Sequence, residues 1–207
     1  MASVTELLTA ATAGPVLEAV LIPLTKQGKL RVTYNWLYSA LNCDPNDGSD
    51  FVWVLDKLDD VHVSLSPKDP YAGRRLYASI RDDWDWFAQV QAPHSADWIT
   101  AVGRDEILTI SGADLLTISL QGFNGQYVAV NSQLSVHDWH SGFRLQSVGT
   151  QDYNARTFFL GITQLIQPAV HVPLRHELTN TDIGNALASA GITPGTDTVS
   201  WLQSALS

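Results

Sequence analysis

Two short segments of this chain combine carboxylates with aromatic rings. They are Arg81-Asp-Asp-Trp-Asp-Trp-Phe87 and His137-Asp-Trp-His140. An aromatic ring offers a flat apolar surface to one side of a sugar ring, and a carboxylate accepts strong hydrogen bonds from hydroxyl groups. The two segments therefore predict carbohydrate binding, with apolar platforms and polar partners drawn from Asp83, Trp84, Asp85, Trp86, Asp138, Trp139 and His140.

Both segments also have a plainer interpretation. If residues 81–87 are extended, Trp84 and Trp86 lie on one side and Asp83 and Asp85 on the other. One tryptophan would then fill the core while the aspartates face water. In the second segment two histidines and one aspartate fall short of the three or four protein ligands of a zinc site. The sequence thus predicts no metal.

Other chemistries find little support along the chain. The acidic segment Asp44–Asp50 resembles a calcium loop in composition, but the EF-hand spacing puts Ser49 at its sixth position and Leu55 at its twelfth. The single cysteine, Cys43, has acidic neighbours and no nearby histidine, which indicates a structural thiol. There is no nucleophile elbow, phosphate-binding glycine loop or His-Glu-x-x-His motif. The sequence predicts no catalytic residue and no cofactor, although an enzyme stays an alternative.

Composition excludes several partners. The 207 residues carry 12 basic and 21 acidic side chains, a net charge of −9, which argues against binding to nucleic acid. No apolar run reaches the roughly 18 residues of a membrane span. The N-terminus has no basic, apolar leader, so we expect a soluble cytoplasmic protein, with leaderless release as an alternative.

The elements that would position these residues form a weak threefold repeat. Three stretches of about 45–55 residues each contain four short strands in the same order, a period typical of repeat architectures. The predicted strands are Ala19–Ile22, Lys29–Thr33, Trp36–Tyr38 and Phe51–Leu55 in the first copy, and Val61–Leu65, Arg75–Ile80, Trp86–Val90 and Trp98–Val102 in the second. The third copy has one strand-like run more than the common four: Leu116–Leu120, Gln126–Val130, Leu134–Val136, Phe143–Leu145 and Thr157–Leu160.

Helices are predicted at both ends of the chain. Ser3 and Glu6 form a capping-box pattern before a short helix that Gly14-Pro15 would end. Near the C-terminus, Thr179 or Thr181 caps a helix ended by Gly191, and a second helix follows. The predicted organisation is an N-terminal helix over 1–15, a β domain over 16–167 and a helical extension over 168–207.

The third repeat resembles a β-trefoil unit of the fascin-like or hisactophilin-like kind. The resemblance rests on Ile118-Ser-Leu120, Asn124-Gly-Gln-Tyr-Val128, Leu134 and Phe143-Arg-Leu145. It implies an all-β trefoil, a superfamily that consists mostly of binding modules such as lectins, actin-binders, growth factors and protease inhibitors. The ricin-type Gln-x-Trp signature is absent, since the nearest match, Gln89-Val-Gln91, lacks the tryptophan. The ricin-type sugar site is therefore not implied.

Together these features predict a lectin-like trefoil that binds a glycan through its acid–aromatic loops. The first alternative is a protein-binding trefoil, such as a protease inhibitor or toxin component, acting through loops or through the C-terminal helical hairpin. The second alternative is an enzyme with a pocket on a trefoil scaffold. Self-association as a homo-oligomer is a third possibility. The remaining tryptophans, Trp36, Trp53 and Trp98, lie in apolar segments and are predicted to belong to the core.

Overall fold

Antiparallel β-strands are the predominant element of the described part of the chain, and helices lie toward both of its ends. The computed structural model describes residues 2–24, 28–34, 39–44, 49–69, 77–79, 89–91, 106–112, 114, 116–123, 125–130, 143–146, 156–167, 171–193 and 196–206. The strands in these ranges are β1 Gly14–Pro23, β2 Lys29–Tyr34, β3 Ser39–Asp44, β4 Trp53–Lys57, β5 His62–Pro67, β6 Tyr77–Ser79, β7 Gln89–Gln91, β8 Leu108–Ser111, β9 Thr117–Gly122, β10 Tyr127–Val130, β11 Phe143–Gln146 and β12 Thr157–Leu165. The helices are α1 Val4–Ala10, α2 Asn180–Ser189 and α3 Thr196–Leu206, with a 3-10 helix at Arg175–Glu177.

Six of the strands close into a ring. Going round it, β1 pairs with β4, β4 with β5, β5 with β8, β8 with β9, β9 with β12, and β12 with β1. Every pairing is antiparallel, and each of these strands has a partner on both sides. A closed ring leaves no unpaired edge among these six strands.

The other six strands form three hairpins inserted between strands of the ring. The hairpins are β2–β3, β6–β7 and β10–β11, and each occupies the same place in a four-strand unit. The first two join into one sheet in the order β2-β3-β7-β6, and β10 continues from β9 through the pair Tyr127↔Gln121. The order first strand, hairpin, fourth strand occurs three times, so the threefold repeat predicted from the sequence is present in the strand pairing.

Several predicted strand positions need correction. The ring strand that pairs with β5 and β9 is Leu108–Ser111, not Trp98–Val102, which lies outside the described residues. The third strand of the first unit is Ser39–Asp44, while the predicted Trp36–Tyr38 and Leu134–Val136 also lie outside them. Gly14 and Pro15 open β1 rather than ending α1, which stops at Ala10.

The interior of the ring is apolar and α1 covers one of its ends. Side chains from β1, β4, β5, β8, β9 and β12 form one buried cluster, which also contains Val4, Leu7 and Leu8 of α1. The predicted capping box is confirmed: Glu6 N donates to Ser3 Oγ at 3.2 Å and Ser3 N donates to Glu6 Oε2 at 2.7 Å. An isolated helix of this length is unstable in water, so burial of its apolar face holds α1 in place.

The C-terminal helices pack on the outside of the ring. On β1, Leu17, Ala19 and Leu21 face the interior cluster, whereas Val20 and Ile22 belong to a second cluster with α2 and α3. Strands β1 and β12 are therefore buried on both faces, which explains why they run beyond the short stretches predicted for them. Thr179 caps α2, as one of the two predicted alternatives, and Gly191 ends that helix region with a φ of +72°. The members of the outer cluster are Val20, Ile22, Leu116, Phe159, Leu178, Ile183, Ala186, Leu187, Leu202 and Leu206.

Candidate functional site

The seven predicted ligand-binding residues lie outside the described residues, but the strands on either side of them are described. Asp83, Trp84, Asp85 and Trp86 fall in the connection 80–88, between β6 and β7. Asp138, Trp139 and His140 fall in the connection 131–142, between β10 and β11. The pair Ser79↔Gln89 closes the first connection and the pair Val130↔Phe143 closes the second.

These two connections occupy equivalent positions in the repeat. Each one joins the second and third strands of a four-strand unit, so the strand pairing relates the two acid–aromatic segments by the threefold pattern. The two segments are similar in composition, and the pairing adds that each falls between the two strands of corresponding hairpins.

The first unit has a corresponding connection, and it also carries a tryptophan. The pair Tyr34↔Ser39 closes the connection 35–38, which contains Trp36. The apolar neighbours of Trp36 predict a core strand there, whereas Trp36 falls between β2 and β3, in a range outside the described residues. The signal that identifies it is the recurrence of a tryptophan between the second and third strands of every unit.

Strands β3 and β7 pair antiparallel through Ala40↔Gln89, and each directly follows its own connection along the chain. The two strands therefore run in opposite directions from the connections 35–38 and 80–88 that precede them.

Local contacts fix the third hairpin on the ring. Gln121 Nε2 donates to Gly125 O at 2.9 Å, and Gly125 has a φ of +81°, which suits a glycine in a tight turn. The Arg156 guanidinium lies over the ring of Tyr127, with 4.1 Å from its Cζ to the ring centroid. This cation–π contact joins the start of β10 to the residue that precedes β12.

Asp50, the last residue of the calcium-like segment, is engaged by two cations. Lys29 Nζ donates to Asp50 Oδ1, and an Arg175 guanidinium nitrogen donates to Asp50 Oδ2 at 2.6 Å. Burial acts to raise the pKa of Asp50, but the hydrogen bonds from Lys29 and Arg175 and their positive charges outweigh it and lower the pKa. The described part of the chain places no three His, Cys, Asp or Glu residues together as a metal site.

The turn between β4 and β5 is ordered by a single carboxylate. Asp59 Oδ1 accepts hydrogen bonds from the backbone N–H groups of Val61 and His62 at 2.9 and 2.8 Å, and Asp59 Oδ2 accepts from His62 Nδ1 at 2.7 Å. The His62 side-chain hydrogen bond is the largest cause that lowers the pKa of Asp59 to about 2. This turn lies at the end of the ring that α1 covers.

The fold defines the chain as a predominantly antiparallel β protein with packed terminal helices. No protein-family model and no curated protein matches the sequence. Among solved structures it is similar to lysenin in complex with phosphocholine, with a TM-score of 0.50 and 11% identity over 73% of this chain and 46% of lysenin. It is also similar in structure to the lysenin pore, with a TM-score of 0.51 and 10% identity over 74% of this chain and 50% of the lysenin chain. The chain thus spans about half the length of the lysenin chains.

Among the helices in the described ranges, none has both the length and the apolar character needed to cross a bilayer.

Proposed function

We propose that the closed ring and its three hairpins form a β-trefoil, and that this trefoil is a carbohydrate-binding module. The fold proposal is supported by the strand pairing, in which first and fourth strands of each unit pair in the ring and the second and third form a hairpin. It is also supported by the sequence resemblance of the third unit to fascin-like and hisactophilin-like trefoils. Fold alone does not assign function, so the ligand is argued from the connections.

One observation carries the carbohydrate proposal. Both acid–aromatic segments lie in connections of corresponding hairpins, at 80–88 and 131–142. Hairpin tips are surface positions where binding residues are commonly presented by a rigid scaffold. Trp84, Trp86 and Trp139 supply apolar platforms for sugar rings. Asp83, Asp85, Asp138 and His140 bind hydroxyl groups.

The test is a glycan-array screen of the full chain beside Trp86→Ala and Trp139→Ala. We expect binding to specific glycans that is lost or at least tenfold weaker in one or both variants, with an unchanged thermal midpoint. Trp53→Ala is the matched control, because Trp53 is 1% exposed and its Nε1 donates to Leu30 O at 2.9 Å. This control substitution should strongly lower the thermal midpoint, and the variant should still bind glycan at temperatures below its midpoint. Absence of glycan binding by the wild-type chain overturns the carbohydrate proposal.

A second candidate ligand is a phosphocholine headgroup. The similarity to the lysenin–phosphocholine complex motivates it, and the composition of the connections supports it. Tryptophan faces attract quaternary ammonium groups, and neighbouring carboxylates add to that attraction. Titration calorimetry with phosphocholine, and with phosphate as the control anion, separates the candidates. If phosphocholine produces binding heat that is lost in Trp86→Ala or Trp139→Ala, the phosphocholine headgroup is the favoured ligand. If phosphocholine produces no binding heat, the glycan is the remaining candidate ligand.

A further inference from the structure

Exposed apolar side chains are concentrated at the end of the ring that α1 covers. We call this the α1 end; here β1 and β5 begin and β4 and β12 finish. Among the described residues, the exposed large hydrophobic side chains are Leu58, Val61 and Ile166, at 36, 45 and 40% exposure. Isolated exposed hydrophobic residues are common on any protein surface, so their common location is the informative feature.

Backbone contacts bring these residues to neighbouring segments. Pro15 at the start of β1 is exposed and pairs with Asp56 of β4, two residues before Leu58. On the other side of β1, Ile166 N donates to Val16 O at 2.9 Å. Leu58 and Ile166 therefore flank the start of β1, and Val61 lies in the same turn as Leu58. The α1-end surface is defined by Pro15, Leu58, Val61 and Ile166.

The charges around this surface are acidic. Asp59, Asp60 and Glu6 are exposed, whereas the Lys57 side chain is 10% exposed. Lys57 Nζ donates to Ala11 O and to Asp60 Oδ1, each at 2.9 Å, and also to Leu8 O. Within residues 2–15, 56–63 and 162–167, Lys57 is the sole Lys or Arg. The α1-end surface therefore offers apolar contacts beside carboxylates, and the only partly exposed basic side chain from these ranges is the imidazole of His62, which is hydrogen-bonded to Asp59.

We propose that the α1-end surface docks a segment of a protein partner that is both basic and apolar. Burial of the partner's apolar side chains supplies affinity, and complementary charge steers the encounter and selects the partner. A second copy of this chain would bring the same carboxylates to the contact. An anionic membrane would meet them with like charge. Charge thus favours the basic protein segment over either alternative occupant.

The experiment uses the full chain and two synthetic peptides of equal charge. One is an amphipathic peptide of leucine and lysine, and the other has serine at every leucine position. By fluorescence anisotropy we expect the leucine–lysine peptide to bind at least tenfold more tightly, and binding to weaken as sodium chloride rises from about 50 to 500 mM. Leu58→Ser with Ile166→Ser should weaken binding about tenfold, whereas Ala188→Ser on the exposed face of α2 should leave it unchanged.

Three results would overturn this proposal. The first is equal affinity of the chain for the two peptides, and the second is equal affinity of wild type and the Leu58→Ser/Ile166→Ser variant for the leucine–lysine peptide. The third is self-association or vesicle binding by a chain that does not bind this peptide. Circular dichroism of each variant verifies that it is folded. The α1-end surface belongs to the opposite end of the ring strands from the hairpins, so the glycan-array result does not depend on this outcome.

Discussion

Arg175 donates a hydrogen bond to Asp50 at 2.6 Å, although 125 residues separate them along the chain. Asp50 follows the first hairpin, and Arg175 lies in the 3-10 helix before α2. The contact therefore ties the C-terminal extension to the first four-strand unit. Lys29 of β2 shares the same carboxylate, so three segments meet at Asp50.

Removal of this contact should destabilise the protein modestly. Arg175→Ala is expected to lower the free energy of unfolding by about 0.5–1 kcal/mol, because the pair is partly exposed and screened by salt. The loss should shrink as salt is raised, which urea unfolding at low and high sodium chloride measures. Arg175→Lys is the matched variant that keeps the charge. A salt-independent loss would show that packing, not charge, makes the contribution.

The turn at Asp59 gives an expected pH dependence. The pKa of Asp59 is about 2 in the folded chain, below the value of about 3.9 for an unperturbed aspartate. Because the folded pKa is the lower one, the unfolded state binds the proton first. The stabilisation is present above about pH 4 and is lost as pH falls toward 2.

Asp59→Asn tests this dependence, since the amide oxygen still accepts the backbone hydrogen bonds of the turn. We expect the difference in urea midpoint between wild type and variant to shrink between pH 4 and 2, where the Asp59 carboxylate takes up its proton. A difference that stays constant down to pH 2 would contradict the assignment. Asp182→Asn is not a neutral control, because Asp182 accepts from Thr179 at the cap of α2.

At Gly161 of β12 the backbone lies close to Leu206 of α3. A Cβ at this position would lie 2.5 Å from Leu206 Cδ2 and 2.8 Å from Val20 Cγ2. Gly161→Ala should therefore displace α3 and destabilise the protein by about 1–3 kcal/mol. In a Leu206→Ala background the same substitution should cost less, since the methyl groups it meets from Leu206 are gone. Strictly additive effects in thermal unfolding would contradict this close packing.

Truncation after Gln167 should expose the outer cluster of the ring. Val20, Ile22 and Phe159 are 0% exposed and pack against the C-terminal helices. We expect the truncated chain to bind a hydrophobic dye and to associate in a concentration-dependent manner, as light scattering would detect. A monomeric truncated chain with the wild-type midpoint would show that the helices contribute little to the ring. That result would favour an interaction role for the helical hairpin.

Local sequence signals predicted local structure well. The Ser3 capping box, Thr179 as one of two candidate caps and Gly191 as a helix end each depend on a few neighbouring residues. All of them involve interactions between groups close in sequence. The strand-like alternation likewise located parts of β1, β2, β4, β5, β9, β10, β11 and β12.

Local sequence signals did not predict features that depend on contacts with a distant segment of the chain. Leu108–Ser111 alternates apolar and polar side chains over only four residues and is not among the predicted strands, yet it completes the ring because β5 and β9 lie on either side of it. Trp36 is predicted within a strand from its apolar neighbours, and the β2–β3 register leaves it between Tyr34 and Ser39, in a range outside the described residues. Asp50 was assigned to an acidic loop, but its partners are Lys29 and Arg175.

The sequence by itself determined the all-β character, the helical termini and the threefold recurrence of strands, because these follow from residue periodicity and local hydrogen bonding. Tertiary structure alone decided which strands pair, which connections correspond and which face of β1 meets the C-terminal helices. Strand pairing uses backbone groups that every residue shares, so the side chains of a strand do not by themselves determine which strand it pairs with. It is selected by the burial of all the apolar faces together.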